Sequence, residues 1–190
     1  IQAPVSSELN PFPFTIYYDT NAGKAHSQGI EFEAQFQATR QLRLETAVGY
    51  VKAIIDDLTL VDTGTEIASD YAGLRIPNAR PWTASASAIY SRPMGESVAT
   101  FRLDHRYQDS VQQSRILPDP NFQLPSFQTT DLSIALMRDR WDLTAYIENL
   151  FDEAYFTSVS STSICCGYRG RMVNAPPRMF GMRLNYRFAD

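Results

Sequence analysis

The chain has 190 residues, of which 44% are apolar and 12% aromatic, and its net charge is −4. Its 17 Lys and Arg are interspersed with 21 Asp and Glu, so no basic patch marks a nucleic-acid partner and no apolar-poor stretch marks a disordered tail. No run of about 18 apolar residues encodes a transmembrane helix, while a mean hydropathy of −0.28 leaves membrane strands open, because a barrel strand shows lipid only every second residue.

The opening "IQAPVSSELNPFPF" has no initiator Met, basic start or apolar run of a signal peptide. The expectation is a cut precursor or a piece of a longer chain. A first strand is predicted in "FTIYYDT". The next, "SQGIEFEAQFQ", sets Ile30, Phe32, Ala34 and Phe36 against Glu31, Glu33, Gln35 and Gln37, a period of two that sorts apolar and polar side chains onto opposite faces. "LRLETAVGYV" repeats it with Leu42, Leu44, Thr46, Val48 and Tyr50 against Arg43, Glu45, Ala47 and Gly49.

"WTASASAIY", "VATFRLDHRYQ", "TTDLSIALM", "WDLTAYIEN" and "FGMRLNYRF" follow with the same alternation. The total is about eight strands, with no sustained helical period. Between them "ATRQ", "RPMGE" and "RDR" are tight joints, and each is followed in turn by a long one: Asp56 to Arg80, Asp109 to Phe127 and Phe151 to Pro177. All the long joints therefore fall at one end, the sidedness of an outer-membrane barrel.

Loop parity gives each apolar residue a height. Tyr50, Trp82 and Tyr107 fall near the long-joint end, and Tyr90, Trp141, Tyr186 and Phe188 near the short-turn end, with Val48, Ala84, Ala86, Leu103, Ile134, Leu143 and Leu184 between them. Aromatic rims around an aliphatic belt are the girdles of a bilayer-spanning barrel. The opposite face carries Glu31, Glu33, Arg43, Glu45, Arg102, Asp104, Arg106, Asp142, Glu148, Arg183 and Arg187. A charge facing lipid costs about 2–4 kcal/mol at the midplane, so these side chains are expected to line a wet or protein-filled interior. His105 is the one awkward member of the apolar face. A soluble β-sandwich is the competing reading, and it needs a second set of strands to cover that face.

Adjacent Cys165 and Cys166 cannot staple distant segments and lack zinc-site spacing; a local role is expected, as a vicinal disulfide or two idle thiols. No metal or cofactor site is read. Ser, His and Asp are present without a nucleophile elbow, so no catalytic residue is assigned and the chain is not expected to be an enzyme.

In "YIENLFDEAYF", residues Asn149, Leu150, Phe151 and Asp152 form an Asn-Leu-Phe-Asp run followed by a long joint and a final strand starting near "PPRMFGMRLNYRF". With "NAGKAHSQGIEFEAQ" and "IPNARPWTASASAIY", this order resembles the C-terminal part of the barrel of TonB-dependent outer-membrane receptors, over almost the whole chain. The resemblance implies an all-β, antiparallel transmembrane segment of a barrel of about 22 strands, with residues 1–190 as its C-terminal portion. The plug domain, the TonB-contacting segment and the first strands are absent from these residues.

Further implications are a Gram-negative outer membrane, lipid around the barrel, TonB acting through the missing part, and uptake of a scarce ligand such as a ferric siderophore. Phe188 would be the terminal aromatic read by the assembly machinery, here followed by Ala189 and Asp190. Ligand contacts are expected on inward rim and loop residues: Arg106, Gln108, Tyr155, Tyr168, Arg169 and Arg171. The alternatives are a complete small eight-stranded outer-membrane barrel and a soluble lipocalin-type barrel.

Overall fold

The structure is a computed structural model that describes residues 2–5, 16–19, 23–61, 68–113, 120–162 and 169–188. Cys165, Cys166 and Tyr168 lie outside them. The chain divides into two compact units, residues 1–27 with 53–76, and residues 28–52 with 77–190.

The strands in chain order are β1 (Gln2–Val5), β2 (Ile16–Asp19), β3 (Gly23–Gln37), β4 (Leu42–Val61), β5 (Ala68–Asp70), β6 (Trp82–Met94), β7 (Ser97–Gln108), β8 (Val111–Gln112), β9 (Gln123–Leu124), β10 (Phe127–Arg138), β11 (Trp141–Glu148), β12 (Phe156–Thr162), β13 (Arg169–Asn174) and β14 (Met179–Tyr186). The main sheet runs β14-β11-β10-β7-β6-β4-β3, with β5 also paired to β4. Each strand of that path pairs with the one expected next to it from the sequence. Among the described residues β3 and β14, at the two ends of this path, have one neighbour each in it.

Two expectations shift. The strand read in "FTIYYDT" forms, as β2, but pairs with β1 in a sheet of its own, and the eighth strand of the main sheet is β5 instead. The long joints are not plain loops: β4 runs on to Val61 and pairs with β5, β8 pairs with β9, and β12 pairs with β13.

In the smaller unit, Ala53, Ile55 and Leu58 are buried, and the backbone amides of Tyr71 and Gly73 donate to the carbonyls of Leu58 and Ile55. His26 Nδ1 lies 2.6 Å from Asp56 Oδ1 on the exposed surface.

In the larger unit the register carries the two faces across the sheet without a break. Leu44, Ala88, Leu103, Leu132, Ile147 and Phe180 form one cross-strand row, and Leu42, Tyr90, Phe101, Ile134, Ala145 and Met182 form the next. The reverse side has its own row of Arg43, Ile89, Arg102, Ser133, Tyr146 and Gly181, and another of Glu45, Ser87, Asp104 and Asp131.

Nothing among the described residues covers the apolar side. Ile30, Phe180, Met182 and Leu184 are 73%, 70%, 72% and 67% exposed, and even central Leu44 and Phe101 keep 39% and 42%. A soluble sandwich would bury this face; a contiguous apolar surface of this extent needs a partner. β6, β7 and β10 have 13, 12 and 12 residues, more than the roughly 9–11 with which a tilted strand crosses a bilayer. The aromatic rims form as expected: Tyr50 and Trp82 lie 4.6 Å apart at one end, and at the other Tyr186 meets Phe188 edge-on at 4.9 Å. His105 is reconciled with the apolar face by Thr130, whose Oγ1 is 2.9 Å from its Nδ1.

Local chemistry sets the register. Gly95 opens the two-residue turn between Met94 and Ser97 with φ 63°; positive φ at the first central position is the hairpin geometry that glycine supplies without strain. Gly181 sits opposite Tyr146, and a side chain there would collide with the phenol ring. The ring therefore lies over the bare backbone.

In a bilayer, Leu103→Arg is expected to destabilise the protein by about 2–4 kcal/mol, and Ser133→Arg on the reverse face by far less. Denaturant titration of lipid-reconstituted protein reads both, and equal costs would contradict the assignment of faces.

Candidate functional site

The charged side of the larger unit is a network. Arg102 Nε donates to Asp104 Oδ2 at 2.7 Å and to Oδ1 at 3.0 Å, Ser87 Oγ donates to Asp104 Oδ1 at 2.5 Å, and Arg43 lies 3.0 Å from Glu45. Ile89, the one buried apolar residue in this row, is paired between Arg43 and Arg102, where their aliphatic stems suit it.

Toward the long-joint end of this face the strands bring several of the expected ligand residues together. Arg106 Nη2 donates to Thr129 Oγ1 at 3.2 Å. Gln108 pairs with Phe127, whose ring stacks on Tyr155 with centroids 4.2 Å apart and planes 16° from parallel. Arg80 completes the group: its guanidinium lies 5.6 Å from the Phe127 centroid and Nη1 donates to the carbonyl of Asp109. Burial lowers the Arg80 pKa and the nearby Asp109 carboxylate opposes that shift; the guanidinium stays cationic.

Arg106, Gln108 and Tyr155 thus meet through Phe127 and Thr129. Arg171 is exposed on β13 opposite Ser160, and no described contact joins it to that group. Arg169 pairs with Thr162 at the start of β13.

Arg80, Thr129 and Phe127 were missed by sequence. Carrying the β10 alternation two residues earlier, from Thr129 to Phe127, would have found the ring. Nothing in the sequence signals that Arg80 folds onto it.

The Asn-Leu-Phe-Asp run forms a clasp. Asn149 and Asp152 have φ 52° and 57°, a left-handed backbone that Asn and Asp tolerate better than other side-chain-bearing residues. The Asn149 amide donates to Asp131 Oδ1 at 2.8 Å, its side chain donates to the Glu153 carbonyl at 2.9 Å, and its Oδ1 accepts the Glu153 amide at 2.8 Å. Asp152 Oδ1 accepts the Arg178 amide at 2.8 Å, and Arg178 Nη1 donates to the Leu150 carbonyl at 3.3 Å. Leu150 in turn donates to the Thr130 carbonyl at 2.7 Å. These bonds join β10, the end of β11 and the approach to β14. Phe151 stands 74% exposed.

Beyond the clasp, the hairpins β8–β9 and β12–β13 share a dry cluster of Val111, Phe122, Leu124 and Val159, with Phe156 packed against it. Phe122 and Leu124 are fully buried, and Gln113 Oε1 accepts the Val159 amide at 2.8 Å. Two joints distant in sequence are thereby one packed body.

An antiparallel sheet with one uncovered apolar face, aromatic rims, a charged reverse face and joints alternately short and long has the build of an outer-membrane β-barrel wall. A family profile described as TonB dependent receptor-like, beta-barrel matches residues 2–150, and the chain belongs to that family.

A metal-pseudopaline receptor of Pseudomonas aeruginosa, CntO, is 27% identical over 146 residues, which is 73% of this chain and 18% of that protein. Among solved structures, the ferric yersiniabactin uptake receptor FyuA of Yersinia pestis superposes with a TM-score of 0.70 at 19% identity, over 89% of this chain and 24% of its own. The siderophore receptor PiuA of Acinetobacter baumannii gives 0.67 at 18%, over 97% and 24%. These likenesses establish the fold, and the chain spans about a quarter or less of each relative.

Asn149→Ala removes both side-chain bonds of a 6% exposed residue and is expected to cost about 1–3 kcal/mol. Phe122→Ala, from a fully enclosed site, is expected to cost about 3–5 kcal/mol locally. Hydrogen exchange should then rise in both β8–β9 and β12–β13, and faster exchange confined to β8–β9 would show that the hairpins are independent.

Proposed function

We propose that residues 1–190 form the C-terminal part of the barrel of a receptor in the outer membrane of a Gram-negative bacterium, which takes up a scarce, anionic metal chelate of the ferric siderophore class. The plug and remaining strands come from the rest of the full-length protein, and energy reaches the site through TonB. Three things support this reading: membership of the family, similarity to receptors named for siderophores and a metal complex, and above all the inward rim group of Arg80, Arg106, Gln108, Phe127 and Tyr155.

That group offers what an anionic, partly aromatic chelate needs. Guanidinium is a permanent, weakly hydrated cation with forked donors suited to carboxylate or phenolate oxygens. Tyr155 adds a flat apolar surface with a hydroxyl at its edge. Among the described residues Arg106 donates to one neutral hydroxyl, Thr129 Oγ1, and feels the Asp104 carboxylate only through space, so its remaining donors can turn to a ligand. Arg169, Arg171 and Tyr168 belong to this proposal as contacts from the β12–β13 joint. The chemistry is binding and release, with no covalent step assigned to these residues.

The whole receptor should bind a ferric siderophore of its own organism in a fluorescence or calorimetric titration. Arg106→Ala and Tyr155→Ala are each expected to weaken binding by about 1–3 kcal/mol, roughly 5- to 150-fold. Growth on that chelate as sole iron source should fall in parallel. Unchanged affinity in both variants would remove the rim group from the site, and absence of binding to any ferric chelate would remove the uptake reading.

A further inference from the structure

β12 carries one residue more than the strand it faces. The Tyr155 carbonyl accepts the Ala175 amide at 2.9 Å and Phe156 lies opposite Asn174, but the next pair is Ser158 with Val173. Thr157 is therefore a β-bulge, unmatched in the register of β13. Its exposed side chain turns back to donate from Oγ1 to the Val173 carbonyl at 3.3 Å.

The extra residue reconciles two demands. Val159 belongs to the core with Val111, Phe122 and Leu124, and Phe156 packs against the same cluster. Yet the two are three residues apart, and an even pleat would send them to opposite faces. One added residue between them brings both to the same face. Tyr155 is left on the other, where its ring stacks on Phe127 with centroids 4.2 Å apart. A bulge also bends its strand and sharpens the local twist, which re-aims the side chains beside it.

We propose that Thr157 is a positioning residue for ligand recognition: its bulge lets the hairpin be pinned by its core while Tyr155 lies flat against Phe127 at the rim. The proposal rests on the reading of Tyr155 as a ligand contact. Thr157 itself touches no ligand; what matters is the number of residues between Tyr155 and Val159. Deleting Thr157 leaves an even pleat in which Phe156 and Val159, now two apart, still share a face, so the core should persist. The deletion also shortens the chain between them by about 3.3 Å, comparable with the whole stacking distance, so Tyr155 should slide off the Phe127 ring.

The test uses the full-length receptor with para-fluorophenylalanine in place of Phe127. The Tyr155 ring should shift the fluorine resonance upfield, and Tyr155→Leu gives the unshielded position. Deletion of Thr157 is expected to move the resonance most of the way to that position. It should weaken binding of the organism's own ferric siderophore as much as Tyr155→Leu does, roughly 5- to 150-fold. With Tyr155→Leu already present, the deletion should cost nothing more. Amide exchange in β8–β9 should stay slow throughout, and Thr157→Ser, which restores both the residue and its hydroxyl, should recover the shift and the affinity.

A fluorine resonance unmoved by the deletion overturns the proposal. So does a further loss of affinity in the double variant, or faster exchange in β8–β9, either of which makes the bulge a support of the core alone. If no ferric chelate binds but the resonance moves as expected, the uptake reading fails while the aiming of Tyr155 by the bulge stands.

Discussion

A chain crossing hydrocarbon has no water to satisfy its amides and carbonyls, so every one must find a protein partner. The main sheet meets this with unbroken ladders from β4 to β14, and those ladders then dictate the side chains. Once the backbone is locked at a two-residue period, each position is assigned to lipid or to interior, and the sequence has to obey at every step. The register rows show that it does: Leu44 through Phe180 on one side, Glu45 through Asp131 on the other. The same constraint makes Tyr146 over Gly181 useful, because a large ring can shield a bare stretch of backbone without disturbing the pairing.

Outside that belt the constraint relaxes and different physics takes over. β8, β9, β12 and β13 are bathed on their outer surfaces and gain stability as a small protein would, by enclosing Phe122 and Leu124 in a core of their own. The clasp at Asn149 and Asp152 lies at the border of the two regimes. There β11 has left the sheet and its backbone must turn back, which two left-handed residues and a set of side-chain bonds to Asp131 and Arg178 make possible.

This division also explains what could be read from the sequence. The seven strands of the ladder path were legible from alternation, because lipid and interior impose opposite chemistries on neighbouring residues, but not to their ends: β4 runs on to Val61, past the Val51 at which its reading stopped, and β3 starts at Gly23 rather than Ser27. The hairpins in the long joints were not, since "FTSVSST" has no face that must be greasy. β1 was missed because "QAPV" carries Pro4, which argues against a strand, and with β1 hidden β2 was placed in the wrong sheet. At the rim, Arg106 and Gln108 followed from parity. Phe127 was lost by starting β10 two residues late, and Arg80 by a fold-back that no local pattern encodes. The role of Asn149 was opaque for a similar reason: its tolerance of a left-handed turn is intrinsic, but its partner Asp131 is far away in the chain.

The shared core of the two outer hairpins bears on how such a protein can diversify. Variation in β8–β9 alone would leave Val159 and Phe156 without a matching surface, so the two joints must change in concert or keep their buried residues while altering only their tips. A chimera that borrows one hairpin from a relative should therefore fare worse than one that borrows the pair, and the pair, not either joint, is the natural cassette for exchange between barrels.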